Sequence, residues 1–188
     1  MEDHKLYDHT LYGYTLKEVD SSNKAVMDAI GRLRYEVWEG ESSVDASLFP
    51  DKIWLEPMDF GSNARQWVVM ASNEIVAAAR LTRHESIKED DYRDIKLWRG
   101  KGGTLKPPVV FFGRLVVHKD HRRRGLARAL VRHRLEAARS WGAKHAVNTC
   151  SQENIKFLVE EFDFFEIGAT AVFRDRPNTT FHALQKNF

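Results

Sequence analysis

The segment Val109–Val117 (VVFFGRLVV) carries the strongest strand signal in the chain, and its continuation constrains the fold most. A short basic turn, 118–124 (HKDHRRR), leads to Gly125 and then to a helix pattern. Leu126, Ala129, Leu130, Leu135 and Ala138 recur on one helical face, and Gly142 supplies the stop signal. Strand, turn and helix in that order leave a helix N-terminus open at the end of a strand. Such a terminus has unpaired amides and a partial positive charge, so it attracts anions, phosphate above all. Gly125 lets a ligand approach the backbone with no side chain in the way, and Ala127 is small for the same reason. Arg122, Arg123, Arg124 and Arg128 add charge around an anion already held by main-chain amides.

Composition gives this segment its weight. The 188 residues include 29 Lys plus Arg against 27 Asp plus Glu, a formal charge of only +2. Yet residues 118–134 hold seven Lys or Arg and a single acid, Asp120. Nucleic-acid-binding faces extend along a surface, whereas this charge gathers at one helix start, so no nucleic-acid partner is expected. With 43% hydrophobic and 11% aromatic residues the chain is too rich in core formers to be disordered. A mean hydropathy of −0.49 and the lack of an apolar run of about 18 residues exclude a membrane-spanning helix, and no membrane partner is expected. The N-terminus (MEDHKLYDHT) does not read as a secretory signal. The lone cysteine, Cys150, cannot form an internal disulfide, so the cytoplasm is the expected compartment.

The length suits one domain over 1–188. Residues 10–19 alternate as a first strand, and Asp20 and Ser21 offer caps for an amphipathic helix over 22–38. A long irregular stretch covers 40–63, and strands at 66–71 and 74–82 meet at Ser72-Asn73 in a hairpin. A short polar helix is predicted over 86–98, then a Gly- and Pro-rich connection containing Gly100, Gly102 and Gly103. Strand 145–150, helix 152–162 and strands 164–173 and 179–185 complete the chain. The fold class is α/β, of mixed α+β type, with one mixed sheet and helices on its faces.

Residues 117–130 (VHKDHRRRGLARAL) resemble motif A of the GNAT acyltransferase superfamily, Arg/Gln-x-x-Gly-x-Gly/Ala, on Arg122, Gly125 and Ala127. The strand ending Leu115-Val116-Val117 stands at the expected distance. The resemblance extends from residue 66 onward, the acyl-CoA-binding core, and more loosely over 1–65, the substrate side. It implies a twisted, mostly antiparallel sheet of about seven strands flanked by about four helices. It also implies that residues 123–128, Leu126 among them, wrap the pyrophosphate of coenzyme A. Leu115, Val116 and Val117 would offer main-chain groups to the pantetheine arm as an added strand does. The expected donor is acetyl-CoA or another acyl-CoA, the acceptor a small-molecule or peptide amine, and a homodimer is compatible with the family.

The later family motif departs from the pattern. Counting back from Phe164, the position usually held by the acidic Tyr is Val159, which cannot donate a proton. The Asn position falls on Gln152, or on Asn154 in a shifted register, and either could bond the pantetheine amides.

Acyl transfer needs a neutral amine, a group to polarise the carbonyl and a route for the proton. A main-chain amide at the strand end, that of Val117, suits the carbonyl. His84 and Glu85 at the end of the hairpin are candidate bases against a plainer reading as surface loop residues. Cys150 is a candidate acid or nucleophile against a plainer reading as a small buried residue. Arg34, Trp38, Asp59 and Arg114 are expected on the substrate side, and no metal is expected. The stretches RYEVW (34–38), Glu56 to Asp59 and ARL (79–81) also resemble homoserine-lactone synthases, which implies a longer acyl-CoA or acyl-carrier-protein donor as an alternative. A catalytically degenerate acyl-CoA sensor is the remaining alternative, raised by Val159.

Overall fold

The computed structural model describes residues 11–41, 44–87, 95–98 and 105–188. Seven strands form one sheet: β1 (Thr15–Val19), β2 (Ala64–Ala71), β3 (Glu74–His84), β4 (Val109–Val117), β5 (His145–Ser151), β6 (Phe165–Phe173) and β7 (Arg176–Asn187). Three α-helices are described: α1 (Lys24–Glu41), α2 (Leu126–Ser140) and α3 (Gln152–Phe162). The strand order is β1-β2-β3-β4-β5-β7-β6, and every pairing is antiparallel except β4 with β5. Most of the helix expected over 86–98, and Gly100, Gly102 and Gly103, lie outside the described residues; 95–98 form a single 3₁₀ turn.

Strand alternation sends side chains to opposite faces, and the two faces are covered differently. On one face Met27, Ile30, Leu33 and Trp38 of α1 pack with Val68, Ala78 and Val116. On the other, Leu126, Leu130 and Leu135 of α2 and Ile155 and Leu158 of α3 pack with Val69, Ala77, Ala79 and Phe112. Helix α1 starts one turn later than Asp20 suggests, because Asn23 Oδ1 accepts from Val26 N at 3.2 Å and so caps it. Gly31 lets the irregular stretch cross α1 closely: Trp54 N donates to Gly31 O at 3.0 Å, and a Cβ there would sit 2.5 Å from Ile53. Strand β7 runs from 176, longer than its alternating core, because its polar first residues continue the hairpin with β6.

Candidate active site

Two irregularities in β4 open the sheet. Ala78 pairs with Val116 and Arg80 with Gly113, so two steps of β3 oppose three of β4, a bulge centred on Arg114 with φ 55°. On the other side, β4 and β5 pair only from Val109 and His145 to Phe112 and Asn148. Beyond that rung the two parallel strands part. His118 N donates to Val76 O at 2.8 Å, which makes Ala77 and Val117 a non-hydrogen-bonded pair. The amide and carbonyl of Val117 therefore face the β5 side, where they have no ladder partner. The carbonyl accepts from Arg122 Nε at 3.2 Å. The amide is left towards the opening between the strands.

A groove of about 840 Å³ fills that opening. Its floor is Gly113 to Val117 and one wall is Asn148 to Ser151. Its outer end meets the start of α2. Gly125 caps this helix with φ 79°, a conformation that suits glycine, and supplies no side chain to the free amides. The first helical bond runs from Ala129 N to Gly125 O at 3.0 Å, so the amides before it are open. Arg122, Arg123, Ala127 and Arg128 line the same end. Open amides, small residues and three guanidinium groups fit a pyrophosphate.

The acetyltransferase (GNAT) family profile matches residues 25–164. The chain belongs to the GNAT family. No curated protein sequence matches it. The fold recurs in solved structures of low identity. The N-acyl amino acid synthase FeeM from uncultured soil microbes superposes with a TM-score of 0.66 at 14% identity, covering 93% of this chain and 91% of that one. The CoA-dependent acyl-homoserine lactone synthase BjaI, solved with SAM and isopentyl-CoA, gives 0.69 at 16% identity over 93% and 83%. Escherichia coli ElaA gives 0.65 at 18% identity over 93% and 99%. As a GNAT acyltransferase the protein is an enzyme, and the family takes acyl groups from acyl-CoA.

Within this GNAT groove the expected cofactor residues fall unevenly. Leu115, Val116, Val117, Arg122, Arg123, Gly125, Leu126, Ala127 and Arg128 line it, as does Asn154. Arg124 and Gln152 are exposed and do not. Asn154 Nδ2 donates to Ser151 Oγ at 3.0 Å, and that hydroxyl donates to Glu153 Oε1 at 2.8 Å. The Ser151 hydroxyl, with the Glu153 amide, holds the Glu153 carboxyl below its ordinary value. Val159 packs against the core and does not line the groove.

His84 lies at the wrong end of the sheet for chemistry in this groove. Because β3 runs antiparallel to β4, His84 pairs with Val109, eight residues from Val117 and about 26 Å away along the strand. Its ring is buried, bonded to Thr82 Oγ1 at 2.9 Å and set edge-on to Phe111. Glu85 is exposed and paired with Arg83 at 2.7 Å. Cys150 does line the groove, but burial, then Glu166 and Glu153, push its thiol up to about 12, so it stays protonated at neutral pH.

On the substrate side, Trp38 and Arg114 line the groove whereas Arg34 and Asp59 do not. Both are 0% exposed and belong to an ion network beneath it. Asp59 accepts from Arg34 Nη1 and Arg80 Nη1, each at 2.9 Å. Burial pushes the Asp59 carboxyl up, yet Arg34, Arg80 and the Glu56 amide outweigh it and hold it below its ordinary value. Glu56 joins Arg80 at 3.0 Å to Arg114, which it grips through both oxygens. Arg114 thereby lies 5.7 Å from the Trp38 ring and 5.9 Å from the Trp54 ring.

The β6–β7 turn closes this end, a contribution with no local sign in the sequence. Asp45 N donates to Asp175 O at 3.2 Å, and Arg176 lies 5.8 Å over Trp38 and 5.0 Å over Phe181. Among the described residues no three His, Cys, Asp or Glu side chains cluster to hold a metal, and no helix is long and apolar enough to cross a membrane.

Proposed function

We propose that the protein moves an acyl group from acyl-CoA to a primary amine by direct attack in a ternary complex. Acetyl-CoA is the donor expected from the sequence. One observation carries this reading: the free edge of β4 at Val117 and the open start of α2 face a single groove. The start of α2, with Arg122, Arg123 and Arg128, holds the pyrophosphate. The β4 edge from Val117 to Leu115 holds the arm and presents a main-chain donor to the carbonyl oxygen.

Acyl-CoA supplies the activated thioester. A new bond to the amine nitrogen replaces the bond to sulfur, the amine gives up a proton, and the thiolate takes one. Cys150 is kept as a thiol and so does not act as a nucleophile. With no tyrosine among the described residues of the groove wall, water relays the proton to and from solvent past the exposed Glu153. The acceptor enters from the side of Trp38, Arg114 and Arg176.

A second reading, a longer acyl donor, is favoured by the inner end of the groove, which continues past Gly113 to Phe112, Arg134 and Leu158. The fold is also shared with an N-acyl amino acid synthase and acyl-homoserine lactone synthases. Calorimetry with CoA, acetyl-CoA and a long acyl-CoA, followed by thiol release across an amine panel, tests both readings. Micromolar CoA binding with amine-dependent thiol release is expected. Failure of all three ligands to bind at millimolar concentration overturns both.

A further inference from the structure

Arg134 is a buried cation with no acid beside it among the described residues. It follows Leu126 and Leu130 on the inward face of α2 and is 1% exposed. Its Nε donates to Leu130 O at 3.2 Å, and its Nη1 reaches Arg80 O at 3.3 Å and Gly113 O at 3.4 Å. These are long for bonds from a charged donor. The guanidinium carbon lies 4.7 Å over the Phe112 ring. No carboxylate pairs with Arg134 among the described residues, and none of them meets its Nη2. Burial alone pushes its pKa down to about 9.

The contrast with the other two fully buried arginines is direct. Arg34 and Arg80 share Asp59 at 2.9 Å each. An unpaired buried charge is destabilising, and an apolar residue of similar volume avoids that cost. The position is apolar in pattern, one turn after Leu130, so leucine or methionine would fill it more cheaply. Arg134 also lines the groove, beside Phe112 at the rung where β4 and β5 part. On the facing strand Asn148 Nδ2 is fixed to Phe112 O at 2.6 Å, which leaves a buried Oδ1 without a partner, an acceptor for an N–H of the arm.

Resting on the acyl-CoA reading above, the geometry adds one step. An arm that runs along β4 inward from Val117 to Leu115 delivers its acyl carbon at the bulge, about two residues or 7 Å from Gly113. We propose that Arg134 reads the far end of the acyl group and pairs with a carboxylate there, so that the preferred donors are short dicarboxylic acyl-CoAs. Arg134 is thus the specificity-determining residue of the inner groove. The covalent step is unchanged: the distal carboxylate gains and loses no proton and no bond.

The test compares succinyl-CoA, its neutral near-isostere butyryl-CoA, and CoA itself by calorimetry, which needs no acceptor. The wild-type protein is expected to bind succinyl-CoA about 10- to 100-fold more tightly than butyryl-CoA, the range a buried charge-assisted hydrogen bond supplies. Arg134→Leu and Arg134→Gln erase that difference with CoA affinity unchanged, while Arg134→Lys retains part of it. Equal or tighter binding of butyryl-CoA by the wild type overturns the proposal without any variant, and leaves the acyl-CoA reading standing if CoA binds. Equal weakening of all three ligands in both neutral variants overturns it too, since Arg134 would then only brace the bulge at Gly113. Loss of CoA binding by the wild type removes this proposal together with the reading it rests on.

Discussion

Arg34 Nη1 lies 2.9 Å from each carboxylate oxygen of Asp59, and neither side chain reaches solvent. The pair ties α1 to the irregular stretch beneath the groove, and Gln66 Nε2 adds a donor to Asp59 at 2.8 Å. Removing the acid leaves the buried Arg34 guanidinium without a carboxylate and leaves Arg80 with Glu56 alone. Asp59→Ala is therefore expected to lower the unfolding free energy by about 3–5 kcal/mol in urea titrations. A loss under about 1 kcal/mol would show that the network carries little of the fold.

The same carboxylate sets a pH dependence. Its folded pKa is held below its unfolded value, so on acidification the unfolded chain takes up this proton first. The stabilisation is fully present above the ordinary carboxylate value of 3.8 and is lost as pH falls through the lower folded value. Asp59→Asn should flatten the acid limb of stability against pH. An unchanged slope would place the effect on other carboxylates.

His84→Ala should leave kcat/KM for any active amine within about threefold, because the ring is remote from the groove. Its cost is in stability, through the lost contacts to Thr82 and Phe111. A hundredfold loss of kcat in a folded variant would return His84 to the chemistry.

Cys150→Ser should likewise retain most activity, and iodoacetamide should label Cys150 slowly at about pH 8, since its thiol is held up to about 12. Rapid alkylation that abolishes turnover would contradict this.

Arg128 and Glu161 form an exposed two-bond pair at 2.6 and 2.8 Å at the phosphate end. Arg128→Ala should weaken CoA binding about three- to tenfold, more at low salt, because the contact is solvent-screened. Glu161→Gln should not weaken it. Loss of affinity in Glu161→Gln would mean that the pair itself shapes the site.

Sequence and structure agree best where local pattern and tertiary role coincide. Val109–Val117, the α2 start at Gly125 and α3 over 152–162 have clean periodicity, and all three lie within the family match over residues 25–164. They part where the answer depends on which strands become neighbours. His84 ends a strand, which suggests closeness to the site, but antiparallel pairing puts that end beside Val109. Arg34 and Asp59 suggest substrate contacts because charge is ordinarily on the surface, and only the fold brings Arg80 and Gln66 to satisfy them in the interior. The bulge at Arg114 has no local sign, since arginine carries no preference for a positive φ. Arg134 is legible in part: its spacing from Leu126 and Leu130 puts it on the buried face, and its charge argues the other way.

Calorimetric titration of CoA into the wild type and Gly125→Glu, with Gly125→Asn as a control for the φ of 79°, tests the central claim most directly. Asparagine tolerates that backbone and adds no charge, whereas glutamate places bulk and a negative charge where the pyrophosphate would lie. The account predicts binding by the wild type, weakened binding by Gly125→Asn, and no measurable binding by a folded Gly125→Glu. Near-native CoA affinity in folded Gly125→Glu would contradict the placement of the cofactor at the start of α2.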